Sequence, residues 1–150
     1  MTKSQLKKKV LKFLDKTEMA ALSTVSPTGL PQVATIYFVV DDQFNLYFAT
    51  TPGSRKYGNL KRNKSVALAI TNHKNEQTIQ MEGEAVELGK MRKNSKEFKF
   101  LTKLFDKYIW STVPVHKIED GLTSFFKVKP SWVRWADFKA KGELFHQIIP

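Results

Sequence analysis

From Val33 to Val40 the chain is almost unbroken in apolar and aromatic residues, and this run limits the possible folds more than any other feature. Its β-branched and aromatic residues suit a pleated surface, and Asp41-Asp42-Gln43 closes it with a tight turn into a second apolar stretch, Phe44 to Ala49. Pro31 to Val40 therefore reads as a strand, and one so continuously apolar is expected to be buried on both faces. In a barrel only one face meets the core. The other then calls for a cover: a helix, a ligand or a partner subunit.

The rest of the chain repeats the pattern. Ala20 to Val25 is a strand ending at the turn Ser26-Pro27-Thr28-Gly29, and Ser65 to Thr71 reads as another buried strand. Asn72 to Glu76 is a polar loop. Thr78 to Leu88 carries Ile79, Met81, Gly83 and Ala85 on one side, and a glycine inside a strand marks a bulge or a close backbone approach. Thr123 to Val128 and Ser131 to Trp135 read as two last strands hinged at Pro130. Ser4 to Lys16 is an amphipathic helix capped by Ser4, with Leu6, Val10, Phe13 and Leu14 on its apolar face. That face is short and has no tryptophan, which favours a helix lying over one end of a barrel rather than on a membrane. Lys90 to Tyr108 has the spacing of a long helix, Ile109 to Gly121 reads as irregular, and the tail beyond Asp137 as a short helix or loop. The expected fold is mainly β (α+β): an antiparallel split β-barrel of about seven strands with flanking helices, residues 1–150 forming one domain.

Composition removes several chemistries. The chain has no cysteine, so disulfides, thiolate metal sites and a cysteine nucleophile are excluded. His73, His116 and His146 lack a second ligand at metal-binding spacing, and neither a hydrolase serine elbow nor a dinucleotide glycine fingerprint occurs. No signal peptide and no apolar run of about 20 residues is found, so a cytoplasmic protein is expected. The net charge of +11 favours anionic partners. A nucleic-acid-binding barrel would interleave aromatics with basic residues on an open sheet face, whereas Phe38, Tyr47 and Phe48 sit in mostly apolar strands. That argues against nucleic acid. Enzymatic chemistry, if present, must come from a cofactor, and the catalytic side-chain set is empty.

One stretch points to a ligand. Leu46 to Ala49 is a strand, Pro52-Gly53 forces a turn, and Ser54 is a helix N-cap followed by Arg55-Lys56, with the helix running to about Arg62. A first helical turn exposes unpaired N–H groups and the positive end of the helix dipole. Two cations there are unfavourable unless an anion joins them, and Thr50, Thr51 and Ser54 add hydroxyls suited to a phosphate. A solvated basic turn is the plainer alternative.

Thr50 to Lys56, followed by Asn59-Leu60 and Asn63 to Leu68, resembles the flavin-phosphate segment of the pyridoxamine 5'-phosphate oxidase-like FMN-binding split-barrel family, nearest to its general stress protein branch. The resemblance covers about Ala20 to Trp135. It implies FMN as cofactor, with Ala34, Thr35, Ile36 and Tyr37 beside the ring and Ala49 and Thr50 along the ribityl chain and phosphate. Thr51, Ser54, Arg55 and Lys56 would hold the phosphate, and Thr78 takes the place of a ring-contacting polar residue. Trp135 matches an aromatic supplied by the second subunit, which implies a homodimer with flavin at the interface; ordinary core packing is the alternative for Trp132 and Trp135. A reduced nicotinamide would be the electron donor and an unidentified small molecule the acceptor.

The chain departs from the oxidase itself. Ala34 and Val39 stand where its second strand has an arginine and a lysine, and Leu144-Phe145-His146 keeps only the histidine of an Arg-x-His pair. Leucine cannot replace a bidentate guanidinium, which argues against pyridoxamine phosphate as substrate. A flavin carrier or sensor without turnover, or a barrel holding haem or a deazaflavin, would share these features.

Overall fold

A computed structural model describes residues 1–90, 95–106 and 124–150. In chain order the elements are α1 (Lys3–Asp15), β1 (Met19–Val25), β2 (Pro31–Tyr37), β3 (Val39–Val40), β4 (Leu46–Thr50), α2 (Arg55–Arg62), β5 (Ser65–Asn72), β6 (Gln77–Lys90), α3 (Lys96–Phe105), β7 (Ser124–Asp137) and β8 (Phe145–Ile149). All pairings are antiparallel, in the order β2-β1-β5-β6-β7-β4-β3, with β8 also on β7. β7 is the hub: β6 lies along one edge, while β4 takes residues 124–128 and β8 residues 133–136 of the other. The mainly β split barrel expected from the sequence is the observed class, with eight strands among the described residues.

The sheet curls around a core in which Leu22, Ile36, Phe48, Ile70, Ile79, Phe126 and Val133 are buried. α1 lies over it through Val10, Phe13 and Leu14, with the Phe13 ring edge-on to Trp135 at 4.9 Å. A second, smaller cluster on the opposite side of β4 joins Val39 and Phe125 to Leu101 and Phe98 of α3.

Several expectations need correction. α1 is capped by Thr2, not Ser4: Thr2 Oγ1 accepts from Gln5 N at 3.1 Å and Gln5 Oε1 accepts from Thr2 N at 2.8 Å, closing a reciprocal capping box that Ser4 could not form. The run from Pro31 to Val40 is two strands, because the chain leaves β1 after Tyr37 and Val39–Val40 pair with β4 instead. Neither β2 nor β5 is buried on both faces in the single chain; β5 alternates strictly, and Val33 on β2 is 64% exposed. The turn at Asp41 is present, but Phe44 belongs to it, with φ of 65°. Asp41 carries that strain: its carboxylate accepts from Gln43 N, Asn45 N, Asn45 Nδ2 and Tyr47 OH at 2.9–3.1 Å.

The two strands expected on either side of Pro130 are one. Gly83 pairs with Pro130 after a register shift, and a Cβ on Gly83 would stand 2.2 Å from Lys129 O. The expected bulge and the close approach therefore coincide. Beyond Asp137 the chain forms β8 rather than a helix or loop. Lys90, expected to open the long helix, is the last residue of β6, and α3 covers Lys96–Phe105 of the expected span. The remainder of that helix and the irregular stretch lie outside the described residues.

Candidate functional site

The turn after β4 builds as its residues dictate. Ser54 is extended (φ −75°, ψ 152°) and caps α2, its Oγ accepting from Tyr57 N at 3.2 Å and lying 2.8 Å from Thr50 Oγ1. The first turn of α2 has no acidic residue and carries Arg55 and Lys56. Neither cation meets a carboxylate within ion-pair distance among the described residues. Arg55 is exposed. Lys56 is half-buried, and burial pushes its ammonium pKa below the ordinary lysine value.

Ser54, Arg55 and Lys56 face Thr24, Gln32, Val33 and Ala34 across a cavity of about 220 Å³. Asn59, on the next turn of α2, fixes the far wall. It is buried, and its Nδ2 donates to Thr24 Oγ1 at 3.0 Å and Gln32 Oε1 at 2.9 Å. Lower on α2, Tyr57 OH (3.1 Å) and Lys61 Nζ (2.6 Å) converge on Glu87 of β6, which also accepts from Ser124 Oγ at 2.7 Å. Burial raises the Glu87 carboxyl, but these three donors and the Lys61 charge outweigh it and hold the pKa below the usual range. α2 is thus pinned to three strands, with its cationic end facing a cavity.

The structure brings together Ala34, Thr50, Ser54, Arg55 and Lys56 of the expected site. Thr51 is exposed beside them. Thr35 points to the outer face of the sheet, Ile36 is in the core, and Tyr37 and Ala49 pack against the cluster under α3. Thr78 lies on β6, donating to Ile70 O at 3.1 Å and lying 3.2 Å from Thr71 Oγ1. Trp135 is 1% exposed, within the chain's own core. Thr24, Gln32, Asn59 and Glu87 received no role from sequence; a polar residue inside an apolar strand was the available signal for Thr24.

The outer face near this site is unusual. Cross-strand register sets Val33, Ser23, Ala67, Glu82 and Trp132 in one row and Thr35, Ala21, Ala69, Gln80 and Arg134 in the next. Small residues fill the middle of both rows, leaving a shallow, mostly apolar groove of about 340 Å³. Val33 borders the groove and the cavity at α2 alike.

Comparison with known proteins agrees with this architecture. The sequence model of the family described as pyridoxamine 5'-phosphate oxidase matches residues 6–135. Among solved structures, General Stress Protein 26 from Bacillus anthracis str. Sterne is similar, with 23% identity over 95% of this chain and 98% of that one and a TM-score of 0.67. An F420 reductase is 23% identical over 81% of this chain and 93% of that one, with a TM-score of 0.64. A heme binding protein from Mycobacterium smegmatis is 12% identical over 94% of this chain and 56% of that one, with a TM-score of 0.68. At these identities the likeness speaks for the fold. Among curated proteins no significant match is found.

Proposed function

Because the chain belongs to the pyridoxamine 5'-phosphate oxidase family, we propose that it binds FMN at the start of α2 and serves as a flavin-dependent oxidoreductase, working as a homodimer. The observation that carries the reading is the pair Arg55 and Lys56, set at a helix N-terminus beside the Thr50 and Ser54 hydroxyls with no carboxylate partner among the described residues. A phosphate dianion answers each feature: it meets the helix dipole, accepts from the free N–H groups and hydroxyls, and compensates a half-buried ammonium. FMN, once bound, supplies hydride and electron transfer at its ring. The chain's own residues bind and orient it: Arg55 and Lys56 hold the phosphate, Thr50 and Ser54 order it, and the Asn59–Gln32 contact keeps the wall of the cavity in place.

Cavity size supports the dimer. About 220 Å³ is below the usual range for a whole cofactor-sized ligand, so the ring must extend past Val33 into the groove. A second copy, packing its own small-residue rows there, would close the ring off from water. No helix among the described residues covers this groove: Val33 is 64% exposed and Ala21, Ala67 and Ala69 are exposed too. A small molecule other than pyridoxamine phosphate is the substrate in this reading. Ala34 and the buried Val39 offer no charge, and Leu144 stands where the oxidase has a phosphate-gripping arginine. A reduced nicotinamide serves as donor, and the site works in the cytoplasm.

The neighbours named F420 reductase and heme binding protein favour a second reading, in which the same cavity holds another cofactor or flavin without turnover. The absorption spectrum of purified protein, followed by identification of the molecule released by heat, separates them. An oxidised-flavin spectrum bleached by a reduced nicotinamide supports the proposal. A colourless protein that leaves added FMN fluorescence unquenched contradicts it, and a haem or deazaflavin spectrum moves the assignment to the second reading.

A further inference from the structure

The wall of the α2 cavity that faces Arg55 and Lys56 is polar in one direction only. Asn59 is 2% exposed, and both hydrogens of its side-chain amide are committed: Nδ2 donates to Thr24 Oγ1 at 3.0 Å and to Gln32 Oε1 at 2.9 Å. Each acceptor is left with a donor to spare. Thr24 keeps a hydroxyl proton, and Gln32, its carbonyl oxygen held by Asn59, has Nε2 as its free end.

That free end can be reached. Gln32 Nε2 meets no acceptor among the described residues, yet it is not sealed in: the one buried side-chain nitrogen or oxygen without a partner among those residues is Trp135 Nε1. Gln32 is half-buried and lines the cavity together with Ser54, Arg55 and Lys56. Turning its amide over would set Nε2 against Asn59 Nδ2, donor against donor, so Asn59 disfavours the orientation that would offer the cavity a carbonyl. Arg55 and Lys56 are the charged groups of the lining, which holds neither carboxylate nor histidine among the described residues.

We infer that Gln32 is a direct ligand of the cofactor's phosphate and that Asn59 is its positioning residue: Nε2 donates to a phosphate oxygen while Asn59 holds Oε1 away. The inference rests on the FMN reading and adds a specificity to it. With two cations and a fixed amide donor around it, the cavity favours the phosphate dianion, whose terminal oxygens all accept. The monoanion would set its P–OH against a donor.

The test titrates full-length wild type, Q32M and Q32E with FMN and with riboflavin, following flavin fluorescence. Methionine keeps the length of the side chain and removes the donor, so Q32M should weaken FMN at least about fivefold and leave riboflavin unchanged. Wild-type affinity for FMN should fall on acidification through the second pKa of the phosphate, about 6. Q32E should show the reverse: weak binding at alkaline pH, where two anions face each other, and recovery as the phosphate gains a proton that the carboxylate accepts. A side chain that only fills the wall would not invert the profile. N59A should weaken FMN as well, and its loss should not add to that of Q32M in the double variant; additive losses remove Asn59 from the inference. Q32M that binds FMN like the wild type, Q32M that loses FMN and riboflavin alike, or Q32E with the wild-type pH profile overturns the role of Gln32. A wild type that does not prefer FMN to riboflavin defeats the flavin reading and this inference with it, whereas a preference that Q32M leaves intact defeats this inference alone.

Discussion

Lys56 is half-buried beside Arg55 with no carboxylate within ion-pair distance among the described residues, and burial alone holds its pKa down. A bound dianion opposes that shift, because it favours the charged ammonium. Affinity for FMN should therefore fall as pH rises through the depressed pKa of Lys56, and binding on the alkaline side should take up protons. The cofactor's phosphate is fully ionised there, since its second pKa is about 6, and contributes none of the uptake. Calorimetry in buffers of different ionisation enthalpy reads the uptake directly, and K56Q should abolish it. Gly83 is the other residue whose identity has one cause: a Cβ there would meet the Lys129 carbonyl at 2.2 Å, backbone that cannot step aside. G83A should cost on the order of 3 kcal/mol, seen as a lower urea midpoint with unchanged slope. A neutral G83A would mean that the bulge opens freely.

At the scale of elements, α2 is held where its cations matter by contacts spread along its length. Ser54 caps its start, Asn59 joins it to β1 and β2, and Tyr57 and Lys61 close on Glu87. The Glu87 pKa is lowered in the folded chain, so its contribution is present above the unfolded value and lost as pH falls through the folded one. E87Q should destabilise the protein by about 1–3 kcal/mol at neutral pH and flatten the loss of stability below roughly pH 4. Urea melts of both proteins across that range test the sign. Cofactor affinity should fall with the anchoring of α2, although Glu87 lines neither the cavity at α2 nor the groove beside it.

The same element shows what a sequence reveals. Pro52-Gly53-Ser54 and the helix after it were legible because their chemistry is local, and so was the turn at Asp41. The anchors of α2 were not, since Thr24, Gln32 and Glu87 are 26 to 35 residues from their partners on it, at separations set only by the sheet. For the same reason β8 was missed: its short Phe145–Ile149 stretch becomes a strand only because β7 offers an edge. Pro130 looked like a break and is not one. It falls where β7 is bulged against Gly83 and where neither β4 nor β8 pairs, the kind of position at which a strand tolerates proline.

The whole molecule combines a net charge of +11, a cavity of about 220 Å³ at α2 and an exposed groove of small residues beside it. A two-fold pairing of such grooves sets the same patch against itself, so one substitution acts twice. Ala69 is exposed and lines the groove. A69R should give a folded monomer in sedimentation and a cofactor affinity at least about tenfold weaker, because charge is forced against charge at the centre of the pairing. A dimer that survives A69R places the second copy elsewhere.

The phosphate proposed to sit at the start of α2 is isolated by comparing the binding of FMN with that of riboflavin. A phosphate–cation pair near a protein surface attracts by up to about 4 kcal/mol before desolvation. Wild-type protein should therefore bind FMN about a hundredfold or more tighter than riboflavin, and R55Q/K56Q should shrink that gap to less than about tenfold with riboflavin affinity unchanged. Equal affinities in the wild type, or a gap that survives the double substitution, would contradict the account.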